Sequence, residues 1–163
     1  LLAARALGKF RGSESFERLL DGAKRCRNIL AKDALLDESG HEGVERTRVL
    51  RTAARGVWQA WLGESSEGRR HGFDPEEFSD DAERALHQEA LRRIPELAAA
   101  AAERRHLEVY QALSELGPVI DRYFDDVLVN AKDPKVRDNR VKFLREIHYL
   151  FARFADLEAI APA

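Results

Sequence analysis

No cluster of residues in this 163-residue sequence has the spacing of a familiar catalytic or metal site. The five histidines never fall into an HExxH pattern or another compact ligand spacing, and the glycines form neither GxGxxG nor a phosphate loop that ends in Lys-Ser or Lys-Thr. Asp125 and Asp126 are the prominent carboxylate pair, but neighbouring helical residues point about 100° apart, which suits a shared acid–base site poorly. Cys26 is the only cysteine, which excludes an intrachain disulfide and a Cys-rich zinc site. We therefore expect no catalytic centre and no metal in this chain.

Basic residues, in contrast, recur where a helix would expose them. A candidate N-cap at Ser13 precedes apolar residues at helical spacing, which predicts a helix over about 14–32 with the stripe Phe16, Leu19, Leu20, Ala23, Cys26 and Leu30. The helical rotation places a basic face roughly opposite this stripe, made of Lys24, Arg25, Asn28 and Lys32. Such a face is either ordinary solvated surface or a contact for an anionic partner.

A second pattern, over residues 44–62, combines tryptophan with arginine. Trp58 and Trp61 fall on its apolar side, and Arg48, Arg51 and Arg55 lie along its flank. A basic amphipathic helix of this kind can lie on a membrane surface, grip a phosphate backbone or pack its aromatic rings in a core, and we favour core packing. Residues 63–72 read as an exposed loop and the best internal boundary.

Further helix start signals follow in the second half of the chain. Asp74-Pro75 predicts a short helix with Glu77 in a capping box, and Ser79 predicts the start of a second helix. Pro95 then opens an Ala-rich helix toward Leu116, which Gly117-Pro118 interrupts. Asp133-Pro134 begins a final helix over about 134–156. No strand pattern competes with them. The predicted fold class is all-α, a helical bundle with mostly antiparallel neighbours.

Composition indicates a single helical domain over residues 1–163. The chain is 44% hydrophobic and 34% charged, with one cysteine and a net charge of −2, which leaves any nucleic-acid binding to local patches and fits a reducing, cytoplasmic setting. Its longest apolar run, 97–102, is far below the ~20 residues of a membrane span. The start lacks an initiator Met and a signal pattern, so we interpret the chain as a segment of a longer polypeptide whose upstream domains are absent.

Four ordered motifs resemble the end of the glycyl-tRNA synthetase β subunit. They are Ala23-Lys24-Arg25-Cys26-Arg27-Asn28-Ile29-Leu30-Ala31-Lys32, Tyr123-Phe124-Asp125-Asp126-Val127-Leu128-Val129-Asn130, Asp133-Pro134-Lys135-Val136-Arg137-Asp138-Asn139-Arg140, and Leu150-Phe151-Ala152-Arg153-Phe154-Ala155-Asp156. Val136 and Val141 stand where the family usually has Leu, and residues from about 40 to 72 look like an unmatched insertion, so the tryptophan helix receives no family role.

This resemblance implies an anticodon-binding domain of the DALR type, which is also found in arginyl-tRNA synthetase. It would recognise tRNA(Gly) and support the ATP-dependent attachment of glycine, while the α subunit activates glycine. ATP and Mg²⁺ would then serve the holoenzyme, with no cofactor in this segment and no catalysis by it alone. The alternative is a helical module that docks a partner subunit without direct RNA contact. An arginyl-tRNA synthetase domain is disfavoured by the Leu-Phe-x-x-x-Ala-Asp ending.

The helical register of the final helix sorts its side chains. With the buried stripe centred on Leu144, Ile147 and Phe151, the side chains of Arg137, Arg140 and His148 fall on the apolar side. We predict a structural ion pair between Arg140 and Asp126, because an unpaired buried charge is costly, and a structural role for His148. The RNA-facing role goes preferentially to Lys142 and Arg145, and the other candidate tRNA contacts are the stacking surface of Tyr149 and the side chains of Lys135, Lys24, Arg25, Asn28, Lys32 and Arg137.

Overall fold

The structure is a computed structural model that describes residues 8, 10–32, 57–61 and 72–154, with only the backbone described for residues 152–154. Helices form nearly all of these ranges. The helices are α1 (Glu14–Lys32), α2 (Asp81–Ala102), α3 (His106–Ser114), α4 (Gly117–Asp126) and α5 (Pro134–Phe154), with a 3₁₀ turn at Pro75–Glu77. Residues 57–61 are helical too, and the described ranges contain no strand. The all-α prediction is confirmed.

Some predictions fall outside these ranges. They are the first part of the tryptophan helix, the loop from residue 63 to 71 and the end of the final helix beyond residue 154. Within the described ranges, no helix is long and apolar enough to cross a membrane.

The chain divides into two compact units. Unit 1 comprises Leu1–Gly22 and Phe78–Leu128, and unit 2 comprises Ala23–Glu77 and Val129–Ala163. Helix α1 contributes its first part to unit 1 and its second part to unit 2, while α2, α3 and α4 belong to unit 1 and α5 to unit 2. The single domain inferred from composition stays a prediction.

The predicted caps of α1 and α5 are confirmed. The Phe16 N–H donates to Ser13 Oγ at 3.4 Å, and the Lys135 N–H donates to Asp133 Oδ1 at 2.8 Å. Each side chain satisfies an amide of the first helical turn that has no partner within the helix. Residues within three positions of each other make these contacts, which is why the sequence reveals them.

Three predicted helix boundaries were wrong. Helix α2 is capped by Asp80 rather than Ser79: the Asp80 carboxylate accepts from the Ala82 N–H at 2.9 Å, and the Glu83 carboxylate accepts from the Asp80 N–H at 2.9 Å, completing a capping box. Pro95 lies inside α2 and opens no new helix. Although proline removes a helical hydrogen bond, Ile94 and Leu97 on either side of it are buried, and their packing holds the helix together.

The Ala-rich helix also ends earlier than predicted, at Ala102. Arg104 adopts a left-handed φ of 56°, and the Arg105 N–H then donates to the Ala100 carbonyl at 2.8 Å. A residue in the left-handed conformation after a helix lets the following N–H groups bond to the last helical carbonyls, and that residue is usually glycine. The sequence offered no glycine there, so the stop was not predicted.

Unit 1 packs α2 against both α3 and α4. Its aromatic rings meet at Phe10, Phe16 and Tyr110, with ring centroids 6.2–6.5 Å apart. The start of α4 approaches α1 so closely that a side chain at Gly117 would overlap the Ser15 carbonyl oxygen. Gly117 is therefore required by the close approach of two backbones as well as by the helix start.

Candidate nucleic-acid interface

Helix α5 carries five of the nine candidate RNA contacts and is built from a local cap and a continuous buried stripe. Leu144, Ile147 and Phe151 are buried, as predicted. Arg140 is only 8% exposed and His148 only 6%, so the predicted placement of both on the buried side is confirmed. Arg137 lies two turns before Leu144 on nearly the same side of the helix, but it is exposed, because the buried side chains of α5 begin at Arg140.

A strip of chain at residues 72–77 lies along one side of α5. Lys135 Nζ is 2.9 Å from Glu77 Oε1, and the Asn139 side-chain amide both donates to the Asp74 carbonyl at 3.0 Å and accepts from its N–H at 2.7 Å. One turn further along, the Phe143 ring lies 4.9 Å from that of Phe73. These positions recur every four residues, which places them on one face of the helix.

Glu146 ends this series and joins two segments to α5. Its buried carboxylate, 7% exposed, accepts from the Trp61 indole N–H at 2.7 Å and from the Gly72 N–H at 2.5 Å. The Trp61 ring also lies 5.9 Å from that of Phe73. Trp58 and Trp61 are both buried, which confirms core packing for the tryptophans. Sequence reasoning missed Glu146, although an acid between Phe143 and Ile147 on an apolar face is an available signal.

Both candidate lysines on α5 are engaged by carboxylates. Lys142 Nζ is 2.6 Å from Asp138 Oδ2, and the hydrogen bond from Lys135 to Glu77 raises the pKa of that ammonium. The capping box predicted at Asp74 is not formed, because the Asp74 N–H donates to Asn139 Oδ1 rather than to Glu77. Asp74 Oδ1 still accepts from the Glu76 N–H at 3.0 Å.

Arg145 differs from these lysines. It is half-buried and forms no ion pair with any residue that the structure describes, and its guanidinium rests beside Gly72: a β-carbon there would lie 3.6 Å from Arg145 Nη2. Tyr149 was expected to be an exposed stacking surface, but it is half-buried, with its ring 5.8 Å from that of His148. Only part of that ring faces solvent.

The basic face predicted on α1 is in place. Arg25, Asn28 and Lys32 are exposed and Lys24 is half-buried, while Cys26 and Leu30 on the opposite side are fully buried. The decapeptide 23–32 holds four basic residues and no acid. Burial also raises the pKa of the Cys26 thiol, so this cysteine stays neutral and packs as an apolar residue.

The prediction for Asp126 needs a correction. We expected a partly buried carboxylate that pairs with Arg140, but the Asp126 side chain is 48% exposed and accepts from Arg122 Nε at 3.2 Å, one turn earlier on α4. The buried stripe of α4 runs through Ile120 and Tyr123, and Asp126 lies to the side of it. The pairing of Arg140 with Asp126 stays a prediction.

Comparison with known proteins finds several relatives of this chain that share one name. A protein of Mannheimia succiniciproducens named Glycine–tRNA ligase beta subunit is 31% identical over 156 residues, which is 96% of this chain. The chain is similar to part of this ligase subunit. A protein of the same name from Alteromonas mediterranea is 29% identical over all 163 residues, and one from Ralstonia nicotianae is 38% identical over 87 residues, or 53% of the chain.

The similarity covers a small share of each relative. The chain spans 18% of the Mannheimia protein, 19% of the Alteromonas protein and 12% of the Ralstonia protein. No family model matches the chain, and no solved structure matches it. The relationship therefore concerns a segment of the glycine–tRNA ligase β subunit, and the activity of the whole enzyme enters below as a proposal.

Proposed function

We propose that this chain is the tRNA-binding segment of a glycine–tRNA ligase β subunit and recognises the anticodon region of tRNA(Gly). The observation that carries the proposal is the 31% identity over 96% of the chain to a protein of that name. In this role the chain supports the ATP-dependent attachment of glycine to tRNA(Gly) in the cytoplasm, beside an α subunit.

We place the chemistry outside this segment. Among the residues that the structure describes, no three His, Cys, Asp or Glu side chains are grouped so that they could hold a metal ion. No step through ATP or Mg²⁺ is therefore assigned to these residues, and both are proposed to act in the rest of the enzyme. The segment contributes binding, which localises the tRNA for a reaction carried out by other domains.

Charge favours unit 2 as the part that meets RNA. Unit 2 holds 17 Lys and Arg against 15 Asp and Glu, whereas unit 1 holds 10 against 14. Phosphates attract a locally basic surface even on a protein whose net charge is slightly negative. The candidate contacts all belong to unit 2 and lie on α1 and α5: Lys24, Arg25, Asn28, Lys32, Lys135, Arg137, Lys142, Arg145 and Tyr149.

Binding titrations test this function. The chain is titrated with tRNA(Gly), with tRNA(Gly) carrying an altered anticodon and with a non-cognate tRNA, at several salt concentrations between roughly 50 and 200 mM. We expect the unaltered tRNA(Gly) to bind most tightly and its affinity to fall steeply with salt, because phosphate contacts release counterions.

The other outcomes have defined meanings. Equal affinity for tRNA(Gly) and its altered form would contradict anticodon recognition while leaving tRNA binding intact. If no tRNA binds, and the chain instead holds the α subunit with an affinity that salt barely changes, the chain is a subunit-docking module and the proposal is wrong.

A further inference from the structure

Most arginines in the described part of unit 1 are paired with neighbouring acids. Six of them lie within ion-pair distance of carboxylates, and Arg93 alone contacts three acids, Glu89, Glu96 and Glu115. The other five are Arg18, Arg84, Arg92, Arg105 and Arg122. A phosphate that approaches the described part of unit 1 therefore meets mostly arginines that are already paired, within a unit that carries an excess of acid.

The exposed and half-buried Lys and Arg side chains that the structure describes on α5 are of two kinds. Lys135 and Lys142 are held by Glu77 and Asp138. Arg137 and Arg145 have no carboxylate partner among the residues that the structure describes. To bind phosphate, each lysine must first give up its carboxylate or share it with a second anion, whereas the two arginines lose no such bond.

We propose that Arg137 and Arg145 are the phosphate-binding residues of α5, and that Lys135 and Lys142 serve mainly in surface ion pairs within the chain. The inference rests on the proposed function and specifies which side chains contact the RNA backbone. Eight residues of α-helix separate the arginines by about 12 Å along the axis, so one strand can meet both. A guanidinium also matches phosphate with two parallel hydrogen bonds, which an ammonium cannot provide.

The surroundings of Arg145 support its role. Gly72 has no side chain to cover the guanidinium, and the hydrogen bond from the Gly72 N–H to Glu146 fixes the glycine in place beside α5. A fixed backbone thus lies on one side of the Arg145 guanidinium, and none of the acids that the structure describes forms an ion pair with it. Such support lowers the conformational entropy lost when a phosphate is bound.

The test compares four single variants of the chain, Arg137→Ala, Arg145→Ala, Lys135→Ala and Lys142→Ala, in tRNA(Gly) titrations across salt. Each of them removes one positive charge from the same helix. We expect the slope of log affinity against log salt to become shallower by roughly 0.7–0.9 in each arginine variant, the value for one phosphate contact, and to stay unchanged in the lysine variants.

Three further variants separate charge from folding and location. Arg137→Lys and Arg145→Lys keep the charge and should keep the slope while binding more weakly, because the bidentate geometry is lost. Arg122→Ala, which removes a paired arginine from unit 1, should change nothing in tRNA binding. Thermal melts of all variants identify any loss of affinity that comes from unfolding.

Each outcome bears on a different claim. If the wild-type chain binds tRNA(Gly) with a salt-dependent affinity but the arginine variants keep its slope, the inference is overturned and the proposed function stands. Lysine variants that lose as much slope as the arginine variants also overturn it, since ion pairing would then not decide which cation meets phosphate. A wild-type chain that binds no tRNA overturns both.

Discussion

Glu146 joins three parts of unit 2, and its replacement should destabilise the protein more than the loss of any surface ion pair. In Glu146→Ala, the Trp61 indole N–H loses its 2.7 Å acceptor. Trp61 is 6% exposed, so water reaches that donor poorly, and an unsatisfied buried donor costs about 1–3 kcal/mol. Gly72 is exposed, so water can replace most of its bond, and that loss adds roughly 0.5–1 kcal/mol.

The expected sum is about 1.5–4 kcal/mol of unfolding free energy. For a chain of this size, 1 kcal/mol lowers the melting temperature by about 2–4 °C, so Glu146→Ala should melt roughly 3–16 °C below the wild type. Circular dichroism measures the melt, and tryptophan emission should shift to longer wavelength as Trp61 becomes accessible to water. Glu146→Gln keeps one acceptor oxygen, so its melting temperature should lie between those of Glu146→Ala and the wild type.

The matched control is Glu77→Ala, which removes an exposed carboxylate that pairs with Lys135. Lys135 lies on α5, the helix that also carries Glu146. Exposed ion pairs contribute about 0–1 kcal/mol, so this variant should melt within a few degrees of the wild type. If Glu146→Ala melts like Glu77→Ala and its tryptophan emission is unchanged, Glu146 does not hold the tryptophan segment to α5.

Three further predictions concern packing, thiol chemistry and catalysis. Gly117→Ala should lower the unfolding free energy by about 3 kcal/mol or more, because the new methyl group overlaps the Ser15 carbonyl oxygen. The control, Gly8→Ala, adds a methyl group that meets nothing within 4 Å and should melt close to the wild type. Equal melting temperatures of the two variants would refute the close approach. Since burial raises the pKa of the Cys26 thiol, iodoacetamide at pH 8 should label the native chain far more slowly than the unfolded chain, and equal rates would contradict its burial. The chain alone should give no glycine-dependent pyrophosphate exchange, and such exchange in a contaminant-free preparation would overturn our placement of the chemistry elsewhere.

The sequence determined the features that depend on near neighbours. The caps at Ser13 and Asp133, the buried stripe of α5 and the exposed basic face of α1 are all set by residues a few positions apart, where helical geometry fixes which side chains meet. Motif order was also enough to indicate the relationship with the glycine–tRNA ligase β subunit, since such a resemblance requires no knowledge of contacts.

Tertiary structure decided what distant residues do to each other. Pro95 stays inside α2 because packing on both sides outweighs a local helix-breaking tendency. Glu146 meets Trp61 across 85 positions, and Lys135 meets Glu77 across 58, so neither pairing follows from helical periodicity. Helical register placed Arg137 on the apolar side of α5, and only the structure shows that it is exposed. Lys142 pairs with Asp138 one turn earlier on the same helix, but the carboxylate that binds Lys135 comes from a distant segment. The full set of ion pairs, which separates Arg137 and Arg145 from the two lysines, therefore required the tertiary structure.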